Sequence, residues 1–283
     1  MLINAKAMLN KALEGKYAVC QFNINNLEWT RFILEESQNN NSPVIIGVSE
    51  GATRYMGGYK TVFNIVNSLV EELKINIPVC LHLDHGSSIE SCISAIDAGF
   101  TSVMIDASKY SFEENVSITN RVVDYANQHN VTVEAEIGHV GGIEDGIEMD
   151  VLYAEVDKCI EFVKETNVDF LAPALGSVHG LYDGEPKLNF TRMDEIKEGT
   201  RIPLVLHGGT GIPDYQINKA IECGICKLNI NTELQIVWSQ AVRKYLNEND
   251  SVYDPRKIIK SGEKDMKQAI KDKILLLGSN DKA

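Results

Sequence analysis

Leu81-His82-Leu83-Asp84-His85-Gly86 closes an apolar run that begins at Ile77. A strand that ends in a carboxylate and an imidazole side by side is a place where chemistry can happen. Two later runs repeat the pattern. Phe170-Leu171-Ala172-Pro173-Ala174-Leu175-Gly176 leads to His179-Gly180, and Pro203-Leu204-Val205-Leu206 leads to His207-Gly208-Gly209. Three buried-type strands each deliver a histidine at or just past the C-terminal end. Neutral imidazole is the commonest metal ligand, and three protein ligands with one open position is the pattern of a catalytic zinc.

Working outward, short apolar runs alternate with longer helical patterns along the whole chain. Strands are expected at 17–23, 43–49, 77–83, 102–106, 131–137, 170–176, 203–206 and 226–230. Helices are expected at about 27–38, 59–73, from 88, 112–129, from 154 and 232–246. Eight strand–helix units without a long break favour a closed (β/α)₈ TIM barrel over an open sheet. Residues 1–16 read as an amphipathic N-terminal helix and 253–277 as a C-terminal helical extension. With 283 residues, the chain 1–283 is expected to form a single barrel domain, since barrels of roughly 250 residues are routinely one.

Barrel sites lie at the C-terminal mouths of the strands. That rule collects His85, His179 and His207 on one rim, together with Asn23, Ser49, Asp84, Asp106, Glu136 and Asn229. Asp84 reads equally as a general acid/base or as a carboxylate that orients an imidazole. Glu134 and Glu136 share one strand face and need a cation, with Asp106 as companion, or a buried Lys. Gly208-Gly209-Thr210-Gly211 after the seventh strand and Asn229-Ile230-Asn231-Thr232 after the eighth occupy the usual phosphate cradle of this barrel. The segment from Gly138 to Asp150 is Gly-rich, acidic and long for a βα loop.

The net charge of −13 argues against nucleic acid or an anionic membrane surface as partner. No apolar run approaches the ~18 residues of a membrane span, and the N-terminus lacks the apolar core of a signal peptide. A cytoplasmic location is expected. Six scattered cysteines are expected to be reduced, with Cys223-x-x-Cys226 as core packing rather than a redox pair.

Taken together, Gln21-Phe22-Asn23, Gly47-Val48-Ser49-Glu50-Gly51, His82-Leu83-Asp84-His85-Gly86, Ile105-Asp106-Ala107-Ser108, Glu134-Ala135-Glu136-Ile137-Gly138, Ala172 to Gly180, Leu206 to Gly211 and Lys227 to Thr232 resemble the class II, metal-dependent fructose-1,6-bisphosphate aldolases. The match runs nearly end to end. The length and the Tyr253-Asp254-Pro255-Arg256-Lys257 tail are similar to the branch that includes tagatose-bisphosphate aldolases. The resemblance implies a lyase of glycolysis and gluconeogenesis that cleaves fructose 1,6-bisphosphate to dihydroxyacetone phosphate and glyceraldehyde 3-phosphate by zinc-stabilised enediolate chemistry.

It also implies roles. His85, His179 and His207 match the Zn²⁺ ligands, and Asp106 and Glu136 match carboxylates that hold a second or displaced metal. Asp84 matches the acid/base at the C4 hydroxyl, Glu144 a loop residue that moves the proton on the triose carbon, and Asn229 the residue that holds the dihydroxyacetone portion. Gly180, Gly208, Gly209, Thr210, Asn229, Ile230, Asn231 and Thr232 match the C1-phosphate site, where a sodium or potassium ion also binds. Asn23 and Ser49 match contacts near the aldehyde half. Asp254 and Arg256 match residues at the distal hydroxyl and phosphate, the arginine coming from a neighbouring subunit, so a homodimer or homotetramer is implied. His139 stands where relatives often have a small residue, the segment 144–152 looks slightly shortened, and Asn231 leans toward fructose.

Rival readings are a tagatose-bisphosphate or other ketose-phosphate aldolase, a zinc hydrolase on the same barrel, and a non-catalytic barrel subunit of an aldolase complex. The hydrolase is disfavoured by the phosphate cradle and by the lack of a carboxylated Lys. The silent subunit is disfavoured because neither Asp84 nor a histidine is lost.

Overall fold

The computed structural model describes residues 2–138, 140–144, 147–149, 153–180, 182 and 184–283, with the backbone alone for 141–144, 147–149 and 179. In chain order the elements are α1 (Lys6–Gly15), β1 (Val19–Asn23), α2 (Leu27–Asn39), β2 (Val44–Ser49), α3 (Glu50–Tyr55), α4 (Tyr59–Glu72), β3 (Val79–Gly86), α5 (Ile89–Ala98), β4 (Ser102–Ile105) and α6 (Phe112–Gln128). Then come β5 (Thr132–Ile137), β6 (Gly141–Glu144), β7 (Ile147–Met149), α7 (Val156–Thr166), β8 (Phe170–Pro173), β9 (Val178–His179), α8 (Phe190–Thr200), β10 (Leu204–Leu206), α9 (Asp214–Glu222), β11 (Ile225–Ile230), α10 (Thr232–Glu248), α11 (Pro255–Lys260) and α12 (Glu263–Leu276).

Eight strands close into a parallel barrel in the order β1-β11-β10-β8-β5-β4-β3-β2, and β7-β6-β9 form a small separate sheet. The barrel is the (β/α)₈ fold that the alternation predicts. Side chains of a strand alternate between its two faces, and here the faces carry different chemistry. One set, including Phe22, Ile46, Leu81, Leu83, Val103, Val133 and Leu206, joins the large apolar cluster that the surrounding helices cover. The other set points inward. Its lowest layer is apolar: Val19, Ile45, Cys80, Phe170, Val205 and Cys226 pack with Met8, Leu9 and Ala12 of α1. The N-terminal helix therefore plugs the end of the barrel opposite the mouth.

Two residues further along the strands, the interior turns polar. Gln21 pairs in register with Asn229, Gly47 with His82 and Ser49 with Asp84. Gly47 has no side chain because Gln21 fills its place: a Cβ there would lie 2.6 Å from Gln21 Nε2. Toward the C-terminal ends of the strands, Asn23, Ser49, Asp84, Glu136 and Asn229 line the mouth, all buried.

The expected C-terminal extension is two helices, α11 and α12, with the break at Ser261-Gly262. A Cβ at Gly262 would collide with the indole of Trp238, whose Nε1 donates to Ile259 O. α12 packs on α2 and α10, and Leu277 O accepts from the backbone N–H of Ala18, just before β1. Not expected from the sequence are the short helix α3, which is capped by Ser49, whose hydroxyl accepts from Ala52 N, the helices α8 and α9, and the β7-β6-β9 sheet.

Candidate active site

Asp84 and His85 are neighbours on β3, so a regular strand would turn them to opposite faces. The strand is not regular there. Its pairing with β4 shifts between Leu83 and Gly86, and His85 takes φ 49°, in the left-handed region. A bulge inserts one residue and re-aims a side chain. It breaks the alternation so that both the carboxylate and the imidazole serve the mouth. A non-glycine residue in that conformation costs about 1–3 kcal/mol and persists only where its surroundings hold it.

Both oxygens of Asp84 are tied to amides. Asn23 Nδ2 on β1 donates to Oδ2 at 2.8 Å, and Asn229 Nδ2 on β11 donates to Oδ1 at 3.2 Å. Gln21 Nε2 in turn donates to Asn23 Oδ1 at 3.3 Å. The carboxylates that orient the imidazoles are others. His85 Nδ1 lies 3.0 Å from Asp106 Oδ2, and His207 Nε2 lies 2.8 Å from Glu134 Oε1.

Against those acceptors each ring nitrogen is a donor. The opposite nitrogens, His85 Nε2 and His207 Nδ1, then face each other 2.9 Å apart, with the rings nearly perpendicular. Two imidazole lone pairs at that distance repel unless a proton or a cation lies between them.

The electrostatics follow from burial. Desolvation holds His207 below its ordinary pKa, against the upward pull of Glu134, so the ring is neutral at neutral pH, as a ligand must be. His82, one layer down, is depressed to about 3 by burial and then by Lys227; its Nδ1 meets Ser102 Oγ at 2.8 Å. Burial would raise Asp106, but the His85 imidazole and the Ser108 hydroxyl hold it well below the usual carboxylate range. Burial would likewise raise Glu134, and Lys227 and His207 outweigh it downward.

Glu136 is buried at the mouth, and its Oε1 accepts from Val140 N at 3.1 Å. Ligand atoms of Asp84, His85 and His207 all lie within 4.8 Å of one another, as do those of His85, Asp106 and Glu136. His85 belongs to both groups, so the two meet at that residue.

The side chains of His179 and Glu144, and residue His139, lie outside what the structure describes. The backbone of His179 is on β9, outside the barrel and past the end of β8. A Cβ on Gly208, at φ +66°, would collide with Val178 O, so β9 lies directly against the turn that follows His207. Tyr182 fastens the two. Its hydroxyl accepts from Val178 N at 3.1 Å and donates to Gly208 O at 2.8 Å, and burial pushes its pKa to about 12.

The turns after β10 and β11 are stitched together. Gly209 N donates to Asn229 O at 3.1 Å, and Thr210 Oγ1 accepts from Glu233 N in the first turn of α10 at 3.1 Å. Ile230 is fully buried, and Asn231 and Thr232 form the entry to α10. Gly180 has φ +89°, with open space where a Cβ would stand. Asp254 and Arg256 are not drawn into this cluster among the described contacts. Asp254 caps α11, and the Arg256 guanidinium returns onto it at 3.1 and 2.9 Å while 89% exposed.

A model of the family described as fructose-bisphosphate aldolase class-II matches residues 3–282. The chain belongs to that family. A fructose-bisphosphate aldolase from Geobacillus stearothermophilus is 59% identical over 283 residues, covering 100% of this chain and 99% of the relative. One from Staphylococcus epidermidis is 56% identical with the same coverage. Among solved structures, the YdjI aldolase from Escherichia coli K12 matches with a TM-score of 0.87 at 34% identity, covering 100% of both chains. The fructose-bisphosphate aldolase from Campylobacter jejuni matches at 0.86 and 23% identity, covering 100% of this chain and 97% of that one, and shows the shared fold alone.

Class-II aldolases are zinc-dependent, and the donor set here fits such an ion. Two imidazoles face each other, each with its far nitrogen held by a carboxylate. That is the carboxylate–histidine–metal arrangement that fixes tautomer and ring orientation. A buried Lys is among the partners the sequence suggests for the inward carboxylates, without saying which; for Glu134 it is Lys227. Tyr182 was missed altogether, since a lone Tyr in a Gly-rich loop has no periodicity to read.

Proposed function

We propose that the chain is a metal-dependent aldehyde-lyase that reversibly cleaves fructose 1,6-bisphosphate to dihydroxyacetone phosphate and glyceraldehyde 3-phosphate. The observation that carries this reading is Asp84, held between Asn23 and Asn229 beside the paired imidazoles of His85 and His207. That is a proton acceptor fixed next to a cation site. When bound by His85, His179 and His207, the divalent ion supplies Lewis-acid stabilisation of the negative charge that develops as C3–C4 breaks.

The protein's own groups do the rest. Asp84 takes the proton of the C4 hydroxyl as the aldehyde leaves and returns it in condensation. Asn229 holds the dihydroxyacetone portion, and Asn23 and Ser49 the aldehyde half. Glu144, carried by the loop after β5, moves the proton on the triose carbon. Asp106 and Glu136 offer a second cation position around His85. Gly180, the Gly208–Thr210 turn and the Asn229–Thr232 turn hold the C1 phosphate and a sodium or potassium ion. Asp254 and Arg256 serve the distal phosphate of a neighbouring subunit in a homo-oligomer, which agrees with the exposure of Arg256. The whole chain acts as one domain, in the cytoplasm; among the described residues no helix is long and apolar enough to cross a membrane.

The test is cleavage of fructose and tagatose 1,6-bisphosphates side by side, before and after chelation. The reading predicts that kcat/KM for the fructose sugar is at least ~10-fold higher, about 1.4 kcal/mol in transition-state stabilisation. It also predicts that a chelator abolishes activity and zinc restores it. Preference for tagatose bisphosphate would move the substrate to the sister class. Cleavage that survives chelation and is trapped by borohydride would overturn the mechanism in favour of a lysine imine.

A further inference from the structure

Lys227 is fully buried in the barrel interior and so is Glu134. They stand on β11 and β5, which are not neighbours: β10 and β8 lie between them in the sheet. The lysine crosses the interior to place Nζ 2.7 Å from Glu134 Oε2. The other oxygen of the same carboxylate meets His207 Nε2 at 2.8 Å. His82 Nε2 also approaches Oε2, at 3.5 Å, too long for a good hydrogen bond, so the ammonium is the close partner on that side.

A buried ion pair is weak evidence of stabilisation. Desolvation offsets most of the attraction, and apolar residues of similar size often do as well or better. The layer beneath is largely apolar, so the barrel accepts such packing a few ångströms away. The pair has another use in reach. Each imidazole has one orienting carboxylate, and each carboxylate has its own anchor. Asp106 Oδ1 is held by the hydroxyl and the backbone N–H of Ser108, at 2.7 and 3.2 Å. Glu134 is held by Lys227. Remove the ammonium and the carboxylate loses the contact that fixes its position. His207 then loses the acceptor that sets its ring rotation and keeps Nδ1 turned toward His85.

We propose that Lys227 is a positioning residue for the metal site, acting across the barrel through Glu134 on His207. This rests on the reading of His207 as a metal ligand. The ion pair belongs to the site rather than to the fold.

The experiment measures zinc affinity of the full chain by competition with a chromophoric chelator, together with the thermal unfolding of the metal-free proteins and the visible spectrum with cobalt. The proteins are wild type, Lys227→Met, the double variant Glu134→Gln/Lys227→Met, and His207→Ala. The double variant keeps the shapes and removes both charges, so it reads the proposal even where the single variant fails to fold. Zinc affinity is expected to fall ~10- to 100-fold in Lys227→Met and at least ~10-fold in the double variant, the usual range for loss of a group behind a metal ligand. The cobalt bands should shift in both. The metal-free double variant should unfold no earlier than wild type. Wild-type zinc affinity in both Lys227 variants, with His207→Ala losing the metal, overturns the role of Lys227 and leaves the metal reading standing. Wild-type affinity in His207→Ala overturns both. Early unfolding of the metal-free double variant with affinity kept makes the pair a fold element and overturns the proposal.

Discussion

Asp84 has both carboxylate oxygens tied to side-chain amides, and that makes its chemistry separable from its architecture. Asp84→Asn keeps the size and the place between Asn23 and Asn229 while removing the base. Zinc content should stay at wild type and kcat should fall by ~10²–10⁴, the usual worth of a positioned acid/base. An unchanged kcat would contradict its role. The motif itself was plain in the sequence, as a carboxylate and an imidazole at a strand end, and the barrel rule put both at one mouth. What was hidden is how two neighbours on a strand can both face it. Alternation forbids that, and only the register shift with His85 at φ 49° allows it. The sequence also left Asp84 balanced between acting on substrate and orienting an imidazole. The orienting carboxylates turn out to be Asp106 and Glu134, a matter of which inward layer meets which ring across the barrel.

At the level of elements, the barrel strands were legible because a run such as Val44–Ser49 is apolar and bounded by turn residues. The β7-β6-β9 sheet was not. Its strands are only two to four residues long, and pattern reading needs several residues of period. Tyr182 ties β9 to the turn after His207. Tyr182→Phe removes both hydrogen bonds and keeps the ring. It should destabilise the protein by about 1–3 kcal/mol, the range for stranding a buried donor and acceptor. It should also raise KM for the bisphosphate, since β9 runs into Gly180 of the proposed phosphate site. Unchanged stability and KM would show that the two turns hold each other without it.

Over the whole molecule, α12 is fastened to α2 by charge as well as by packing. Lys267 Nζ reaches Glu35 at 2.6 Å and Glu263 at 2.8 Å, and Arg31 reaches Glu263 at 3.2 Å. Burial would raise Glu263, but Lys267 holds it below its ordinary 4.5. Burial would lower Lys267, but the two carboxylates hold it above 10.5. A depressed carboxylate contributes stability above its unfolded pKa and loses it as pH falls through the folded one. A raised ammonium contributes below its unfolded pKa and loses it as pH rises through the folded one. The stability difference between wild type and Lys267→Met should therefore be flat across neutral pH and shrink well below 4.5 and well above 10.5. Both groups lie partly buried at the surface, where solvent still screens them, so it should stay near or under about 1 kcal/mol. A difference that grows on acidification would contradict the linkage.

The thiols give a second check at this scale. All six cysteines are buried and unbridged, and desolvation pushes Cys80, Cys159 and Cys226 to about 12. None should react with an aromatic disulfide reagent before unfolding, and all six should react afterwards. A rapid reaction at Cys223 or Cys226 would revive the redox reading of that pair.

If the site works as proposed, imidazoles from separate strands converge on one divalent ion. Anomalous diffraction at the zinc edge, from crystals of the zinc-loaded protein, tests it most directly. A single strong peak is expected within coordinating reach of both His85 Nε2 and His207 Nδ1. A peak elsewhere, or none between those rings in a protein that retains cleavage activity, would contradict it.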